Sequence, residues 1–284
     1  MSKTQGKPIL VLGATGKTGR RVVEGLESAG MPVRAGSRAA EPPFDWEDQA
    51  TWAPVLDGVA KVYITFQPDL AVPGAADAIR AFTAQAVAAG VDQLVLLSGR
   101  GEQEAQACEQ IVKDAGVDWT LLRASWFFQN LSESFLLEPV LAGHVALPAG
   151  DTPEPFIDAG DIAAVAVAVL TEAGHTGQLY ELTGPRMLTF AEAIAEVAAA
   201  TGRDIRYTDV PRDTYKAMLH EAGVPGDYVW LVDYLFDTVL DGRNAHLADG
   251  VLRALGRQPR DFREFASETA ATGVWNPAAA RHVA

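Results

Sequence analysis

Pro8-Ile9-Leu10-Val11-Leu12 runs directly into Gly13-Ala14-Thr15-Gly16-Lys17-Thr18-Gly19-Arg20. An apolar run of strand length breaks into three glycines spaced three apart, and Val22, Val23 and Leu26 then follow a helical pattern. The order strand, glycine turn, helix is the informative part, because glycine-rich turns alone are common. Without Cβ atoms in the turn, backbone N–H groups can approach a pyrophosphate, and the N-terminus of the following helix adds favourable partial charge. The segment reads as a dinucleotide-binding turn, with an ordinary tight turn as the alternative.

The 284 residues suffice for one large α/β domain, or for a Rossmann domain with a smaller appendage. Hydrophobic residues make up 48% of the chain and charged residues 21%, so a packed core is expected and long disorder is not. A formal net charge of −14 argues against a nucleic-acid partner, whose phosphates would be repelled. It leaves room for an anionic cofactor, whose site is decided by local N–H groups and a few arginines. The single cysteine, Cys108, excludes an internal disulfide and a cysteine-rich metal site, and reads as a small helix residue. Met1 to Lys7 is polar, so no signal peptide is expected. No uninterrupted apolar run reaches about 18 residues, so no membrane span is expected either, and the expected location is cytoplasmic. The excess of Arg over Lys and the abundance of Ala point to a GC-rich bacterial genome.

Outward from the first turn, strands are expected at 32–37, 43–46, 59–66, 93–98 and 119–123, with helices at 74–89, stopped by Gly90, and at 104–115. Strands alternating with helices predict a parallel, doubly wound sheet. Beyond about residue 124 the alternation loosens. Residues 126–130 form an aromatic cluster, 145–156 read as a Pro/Gly-rich loop, and 161–170 as an Ala/Val-rich helix with Asp161 at its N-cap. A strand over 178–183, a helix over 189–200 and mostly helical patterns over 211–272 complete the chain. The fold class is thus α/β, a Rossmann-type doubly wound parallel sheet with a smaller mixed α/β C-terminal substrate domain. The expected division is 1–150 for the NAD(P)-binding domain and 151–284 for the smaller one, with an approximate boundary and some chain crossover.

The end of the second strand reads Gly36-Ser37-Arg38, without the carboxylate that NAD sites place against the adenosine ribose. A guanidinium there can grip a 2′-phosphate in two places, so NADP(H) is preferred over NAD(H); the alternative for Arg38 is a solvated loop charge. Asp45 suits the adenine amino group, with Trp46 alongside, or else caps its own loop. Gly13, Thr15, Gly16, Lys17 and Thr18 are the candidate pyrophosphate residues. Thr65, Phe66, Gln67 and Pro68 would line the central part of the cofactor.

Taken in order, the glycine motif, Arg38, Asp45, Leu97-Ser98-Gly99-Arg100-Gly101, Thr120-Leu121-Leu122-Arg123, Phe128-Gln129-Asn130, 156–163 and Tyr180-Glu181-Leu182-Thr183-Gly184-Pro185 resemble the NmrA-like family of atypical short-chain dehydrogenase/reductases. The resemblance spans nearly the whole chain. It implies an N-terminal Rossmann domain binding NAD(P)(H) and a smaller C-terminal domain that shapes the substrate pocket. Ordinary short-chain dehydrogenases use Ser, Tyr and Lys, with Tyr-x-x-x-Lys on one helix face. None of the six tyrosines here is followed four residues later by Lys. On the helix after the fifth strand Glu109 and Lys113 stand one turn apart instead, read as a surface pair rather than a catalytic dyad.

Ser98, at the end of the fifth strand, is the one candidate catalytic residue; it orients the nicotinamide or a substrate oxygen, or only closes a turn. Trp126, Phe127 and Asn130 are the candidate substrate residues, with Phe128 beside them and at least one of these aromatics expected in the core. Asp158 and Asp161 lack a third ligand, so no metal is expected. Tyr215 and Leu219 are expected on the buried face of their helix, and His175 in a loop. Three functions compete. The first is NADPH-dependent hydride transfer to a quinone or other planar aromatic substrate, including an aromatic polyketide intermediate reduced for a partner oxygenase. The second is a non-catalytic NAD(P)-binding redox sensor, and the third an epimerase or isomerase. A homodimer contact is a further expectation.

Overall fold

The computed structural model describes residues 6–277. In chain order its strands and helices begin β1 (Ile9–Leu12), α1 (Gly19–Ser28), β2 (Val33–Gly36), α2 (Trp52–Leu56), β3 (Lys61–Ile64), α3 (Ala75–Ala88), β4 (Gln93–Gly99) and α4 (Gln103–Lys113). They continue with β5 (Asp118–Ala124), α5 (Leu137–Ala142), β6 (His144–Leu147), α6 (Ala159–Thr171), β7 (Gln178–Leu182), α7 (Phe190–Thr201) and β8 (Arg206–Asp209). The last are α8 (Arg212–Glu221), α9 (Gly226–Tyr234), α10 (Gly250–Leu255) and α11 (Phe262–Ala271).

The chain forms two compact units. Among the described residues, one comprises 6–124, Ala159–Leu182 and Asp249–Arg257; the other comprises Ser125–Asp158, Thr183–Ala248 and 258–277. The sequence reading placed one approximate boundary at 150, whereas the chain passes between the units after Ala124, Asp158, Leu182, Ala248 and Arg257.

The first unit holds a six-stranded sheet in the order β2-β1-β3-β4-β5-β7, and every neighbouring pair is parallel. Ile9 to Leu12 are essentially inaccessible, as expected of an apolar strand covered on both faces. Strand order reverses at β1, which pairs with β2 on one side and β3 on the other. In such sheets the crevice beyond the carboxyl ends of the strands at the reversal is the ligand position. Under the sheet lies a core that includes Leu10, Trp52, Val62, Phe82, Leu94 and Cys108. Burial pushes the Cys108 thiol up to about 11, so it serves as an inert core residue of α4.

The strand expected at 43–46 does not join the sheet. Pro43 has no N–H to give a ladder, and Asp45 makes only an isolated antiparallel bridge to Asp48. Aromatic packing fixes the segment instead: Phe44 and Trp46 meet edge-on at 5.1 Å, and Trp46 lies 4.9 Å from Phe66.

In the second unit, β6 pairs in parallel with β8, with Val145 opposite Tyr207. The first residues of the expected 145–156 loop are therefore strand, and β8 lay outside every strand expected from sequence. Each is four residues long and finds its partner some sixty residues away, a separation no local pattern reveals. The core of this unit is aromatic, with Phe128, Phe190, Phe262 and Trp275 fully buried. Tyr215 is buried and Leu219 half-buried on α8, as the spacing predicts.

α7 opens with a reciprocal cap. Thr189 Oγ1 accepts the Glu192 N–H at 3.1 Å, and Glu192 Oε2 accepts the Thr189 N–H at 2.8 Å. Replacing Thr189 with Ala removes one acceptor from the helix N-terminus. It should lower unfolding free energy by about 1 kcal/mol in denaturant titration, and an unchanged midpoint would show the cap to be redundant.

Candidate cofactor site

Gly13 closes β1 with φ at +64°, a conformation open to glycine, and a Cβ there would collide with Thr65 Oγ1. That hydroxyl is held in place by donating to the Leu12 carbonyl at 3.1 Å. A Cβ on Gly19, the first residue of α1, would collide with the Gly13 carbonyl. The turn is tied further by the Gly16 N–H donating to Gly13 O at 2.8 Å, and by the Ala14 N–H donating to Gly36 O at 3.2 Å. The second bond fixes the turn against the end of β2. Among the described residues the N–H groups of Thr15 and Thr18 meet no acceptor, and Thr18 makes no side-chain cap on α1. A cradle without Cβ atoms, with unused amides at a helix N-terminus, fits the pyrophosphate of a dinucleotide.

The end of β3 lies against this turn: a Cβ on Gly16 would stand 3.9 Å from Gln67 Nε2. Trp46 Nε1 donates to the Thr65 carbonyl at 3.1 Å, binding the aromatic segment to the same edge. The structure thus brings together Gly13, Gly16, Thr65, Phe66, Gln67 and Trp46. Arg38, two residues past β2, is exposed, and among the described residues it has no hydrogen-bond or ion-pair partner. Asp45 does what the loop-capping alternative required, since its Oδ1 accepts the Glu47 N–H at 3.1 Å.

Ser98 lies near the end of β4, opposite Arg123 of β5. Its hydroxyl, 4% exposed, donates to Glu109 Oε1 at 2.7 Å. Glu109 is 1% exposed, and Arg123 clamps it with Nε on Oε1 at 2.9 Å and Nη2 on Oε2 at 2.5 Å. Arg123 Nη1 reaches Glu181 Oε1 of β7 at 2.9 Å, and Arg100 Nη2 approaches the other Glu181 oxygen at 3.6 Å. Glu109's hydrogen bonds raise the Arg123 pKa above its ordinary value, keeping the guanidinium charged. The reading of Glu109 and Lys113 as a surface pair is therefore corrected. Glu109 faces inward, and Lys113 Nζ sits 5.6 Å from the Trp119 ring centroid. The missed signal was spacing: Ala105, Cys108, Glu109 and Val112 make one buried stripe of α4, and an acid inside such a stripe requires a buried partner.

A second acid pair also escaped sequence reading. Asp69 and Glu102 share a hydrogen bond, and both pKa values are raised, first by burial. Glu102 is raised the further, because the Asp69 charge adds to its burial. Gly99 makes room for it, since a Cβ there would overlap the Glu102 carboxyl.

Each remaining candidate has packing or hydrogen-bond partners of its own. Asp161 is not an N-cap: it lies in the first turn of α6 and pairs with Arg257 at 2.7 Å. Asp158 accepts from Gln129 and from Arg260, both at 2.9 Å. His175 Nδ1 lies 2.8 Å from the Tyr180 hydroxyl. In the second unit Phe128 is core, and Trp126 is half-buried, 5.3 Å from Phe190 and 5.2 Å from Phe236. Phe127 and Asn130 are half-buried, joined by the Asn130 N–H donating to Phe127 O at 3.1 Å.

A family model described as NAD(P)H-binding matches residues 13–173. The chain is 32% identical over 284 residues to an NAD(P)H azoreductase of Xenophilus azovorans, covering 93% of this chain and 98% of that protein. It is 33% identical over 283 residues to the (4-alkanoyl-5-oxo-2,5-dihydrofuran-3-yl)methyl phosphate reductase of Streptomyces griseus, covering 92% and 98%. Among solved structures it is similar to the NADPH-dependent quinone oxidoreductase of Escherichia coli in complex with NADPH. There the TM-score is 0.77 at 26% identity, over 92% of this chain and 99% of that one.

Two outcomes follow from the buried acids. Glu109→Ala takes two hydrogen bonds from Arg123 and leaves its guanidinium with Glu181, so it should cost about 1.5 to 3 kcal/mol in chemical denaturation, the worth of a hydrogen bond to a charged group; a loss under about 0.5 kcal/mol would show that water replaces Glu109. The Asp69–Glu102 pair binds more protons folded than unfolded. Its stabilising share is therefore complete below the unfolded carboxyl pKa of about 4.3 and is lost as pH rises through the raised native values. Glu102→Gln should become increasingly more stable than the parent as pH rises above the unfolded carboxyl range, and a pH-independent difference would show that the pair binds no extra proton in the folded state.

Proposed function

The chain belongs to the NAD(P)H-binding family and is an NAD(P)H-dependent oxidoreductase, and from that premise we propose that it prefers NADPH and reduces a planar, electron-poor conjugated acceptor such as a quinone. The observation that carries the cofactor preference is Arg38, exposed and unengaged among the described residues, just past a β2 end that offers no carboxylate. The amides of Thr15 and Thr18 and the N-terminus of α1 hold the pyrophosphate, with Gly13, Gly16 and Lys17 shaping the turn. Arg38 takes the 2′-phosphate; Asp45 and Trp46 border the adenine; Thr65, Phe66 and Gln67 line the middle of the cofactor.

When bound, the cofactor supplies hydride. The chain supplies no Tyr-x-x-x-Lys pair to protonate an alkoxide, so it suits acceptors that spread the incoming charge over a conjugated system and collect their proton from solvent. Binding and orientation then carry the catalysis. An azo bond, an unsaturated lactone and a quinone, the acceptors named for the relatives, share that property. A narrower version has an aromatic polyketide intermediate as substrate, reduced for a separate oxygenase, with Trp126, Phe127 and Asn130 contacting it.

The test is oxidation of NADPH and NADH, followed by absorbance, across a panel of quinones, with binding of both cofactors titrated in parallel. Quinone-dependent turnover favouring NADPH is expected, and tight binding without turnover would instead support a nucleotide sensor. Arg38→Ala should weaken NADPH by about tenfold or more, the worth of a charge-assisted hydrogen bond, while leaving NADH nearly unchanged. Equal losses for the two cofactors would show that Arg38 does not read the 2′-phosphate.

A further inference from the structure

Ser98 is a buried hydroxyl with a fixed polarity. Its only hydrogen is directed at Glu109 Oε1 at 2.7 Å. Glu109 cannot give that role up easily, because Arg123 grips both of its oxygens and the side chain is 1% exposed. A hydroxyl carries one donor and two acceptor lone pairs. Among the described residues no donor reaches the Ser98 oxygen, so its acceptor capacity is unused although the residue is 4% exposed.

Its place in the sheet says what can use that capacity. Ile64 and Leu96 are paired across β3 and β4, and Phe66 and Ser98 each lie two residues further on, at the carboxyl edge where a doubly wound sheet receives its ligand. On the reading of this unit as an NADPH site, the adenosine half lies toward the β2 end and the nicotinamide toward β3 and β4. The nicotinamide carries one group with N–H donors, its carboxamide.

We infer that Ser98 accepts a hydrogen bond from the nicotinamide carboxamide N–H, and that Glu109 is the positioning residue that keeps the hydroxyl turned this way. The inference rests on the NADPH reading above. It reverses the role expected of a serine at this point in a dehydrogenase, which donates to a substrate oxygen. Donation outward would require Ser98 to abandon a buried carboxylate. With Ser98 committed to the cofactor, its hydroxyl does not supply a proton to the acceptor, which agrees with substrates that need none from it.

The inference separates from the cofactor reading by use of 3-acetylpyridine adenine dinucleotide phosphate, which keeps the ring carbonyl but has a methyl group in place of the carboxamide nitrogen. Affinities of this analogue and of NADP+ are measured by calorimetry for the parent, Ser98→Ala and Glu109→Gln, with a thermal melt of each variant. The parent should prefer NADP+ by about two- to tenfold, the worth of one neutral hydrogen bond. Ser98→Ala should erase that preference by weakening NADP+ alone. Glu109→Gln, whose amide can donate to Ser98 and release its hydrogen outward, should reduce it.

Loss of affinity for both ligands alike in Ser98→Ala, or a preference that survives the substitution, would overturn the inference while leaving the NADPH site standing. So would a parent that binds the two equally, a measurement that needs no variant to fold. A parent that binds neither ligand would remove the cofactor reading and the inference with it. A general weakening of the fold moves both affinities together, so the ratio reports on polarity rather than on structure.

Discussion

Hydrogen in place of a side chain at Gly19 is the constraint on which the first unit depends. The first residue of α1 packs directly on the carbonyl of Gly13, and any Cβ would force strand and helix apart. Gly13 in turn needs its positive φ and the space held by Thr65. Together they bring the end of β1, the start of α1 and the end of β3 to one point, and the Ala14–Gly36 bond adds β2. Among the described residues, packing there leaves amides of the turn without protein acceptors, so the backbone that solves a steric problem also suits an anion.

Further along the carboxyl edge the controlling physics is desolvation rather than sterics. A carboxylate as buried as Glu109 is tolerable only if its oxygens are fully hydrogen-bonded, and a buried pair is weak evidence for net stability. What the pair provides is orientation. Arg123 spans from Glu109 of α4 to Glu181 of β7, and Ser98 is fixed as a by-product. The Asp69–Glu102 carboxyls meet the same problem without a cation: burial raises both, and the charge of Asp69 raises Glu102 further.

Legibility followed the range of the interactions. The glycine turn, the parallel strands at 9–12, 93–99 and 118–124 and the capped helix α7 were readable because each is decided within one strand, turn or helix. The segment at 43–46 misled because β-forming aromatics also make clusters, and only the positions of Trp52, Phe66 and Phe82 show which. Strands β6 and β8 are four residues each, too short to announce themselves without their partner. The start of α6 was misplaced by two residues, an ordinary error at a helix end, yet the pairing of Asp161 with Arg257 was invisible because nearly a hundred residues separate them.

The sequence by itself determined the alternation of strands and helices in the first half, the glycine turn, the lack of a carboxylate at the end of β2 beside Arg38 and the absence of a Tyr-x-x-x-Lys pair, because these are properties of neighbours along the chain. Tertiary structure alone decided that Glu109 turns inward, that Arg123 meets it, and that Ser98 has a hydrogen already spent and lone pairs still open. The reason is that a hydrogen bond's direction depends on which groups converge in space and on how much water is excluded, and helix α4 and strands β4, β5 and β7 must all be in place before either is defined.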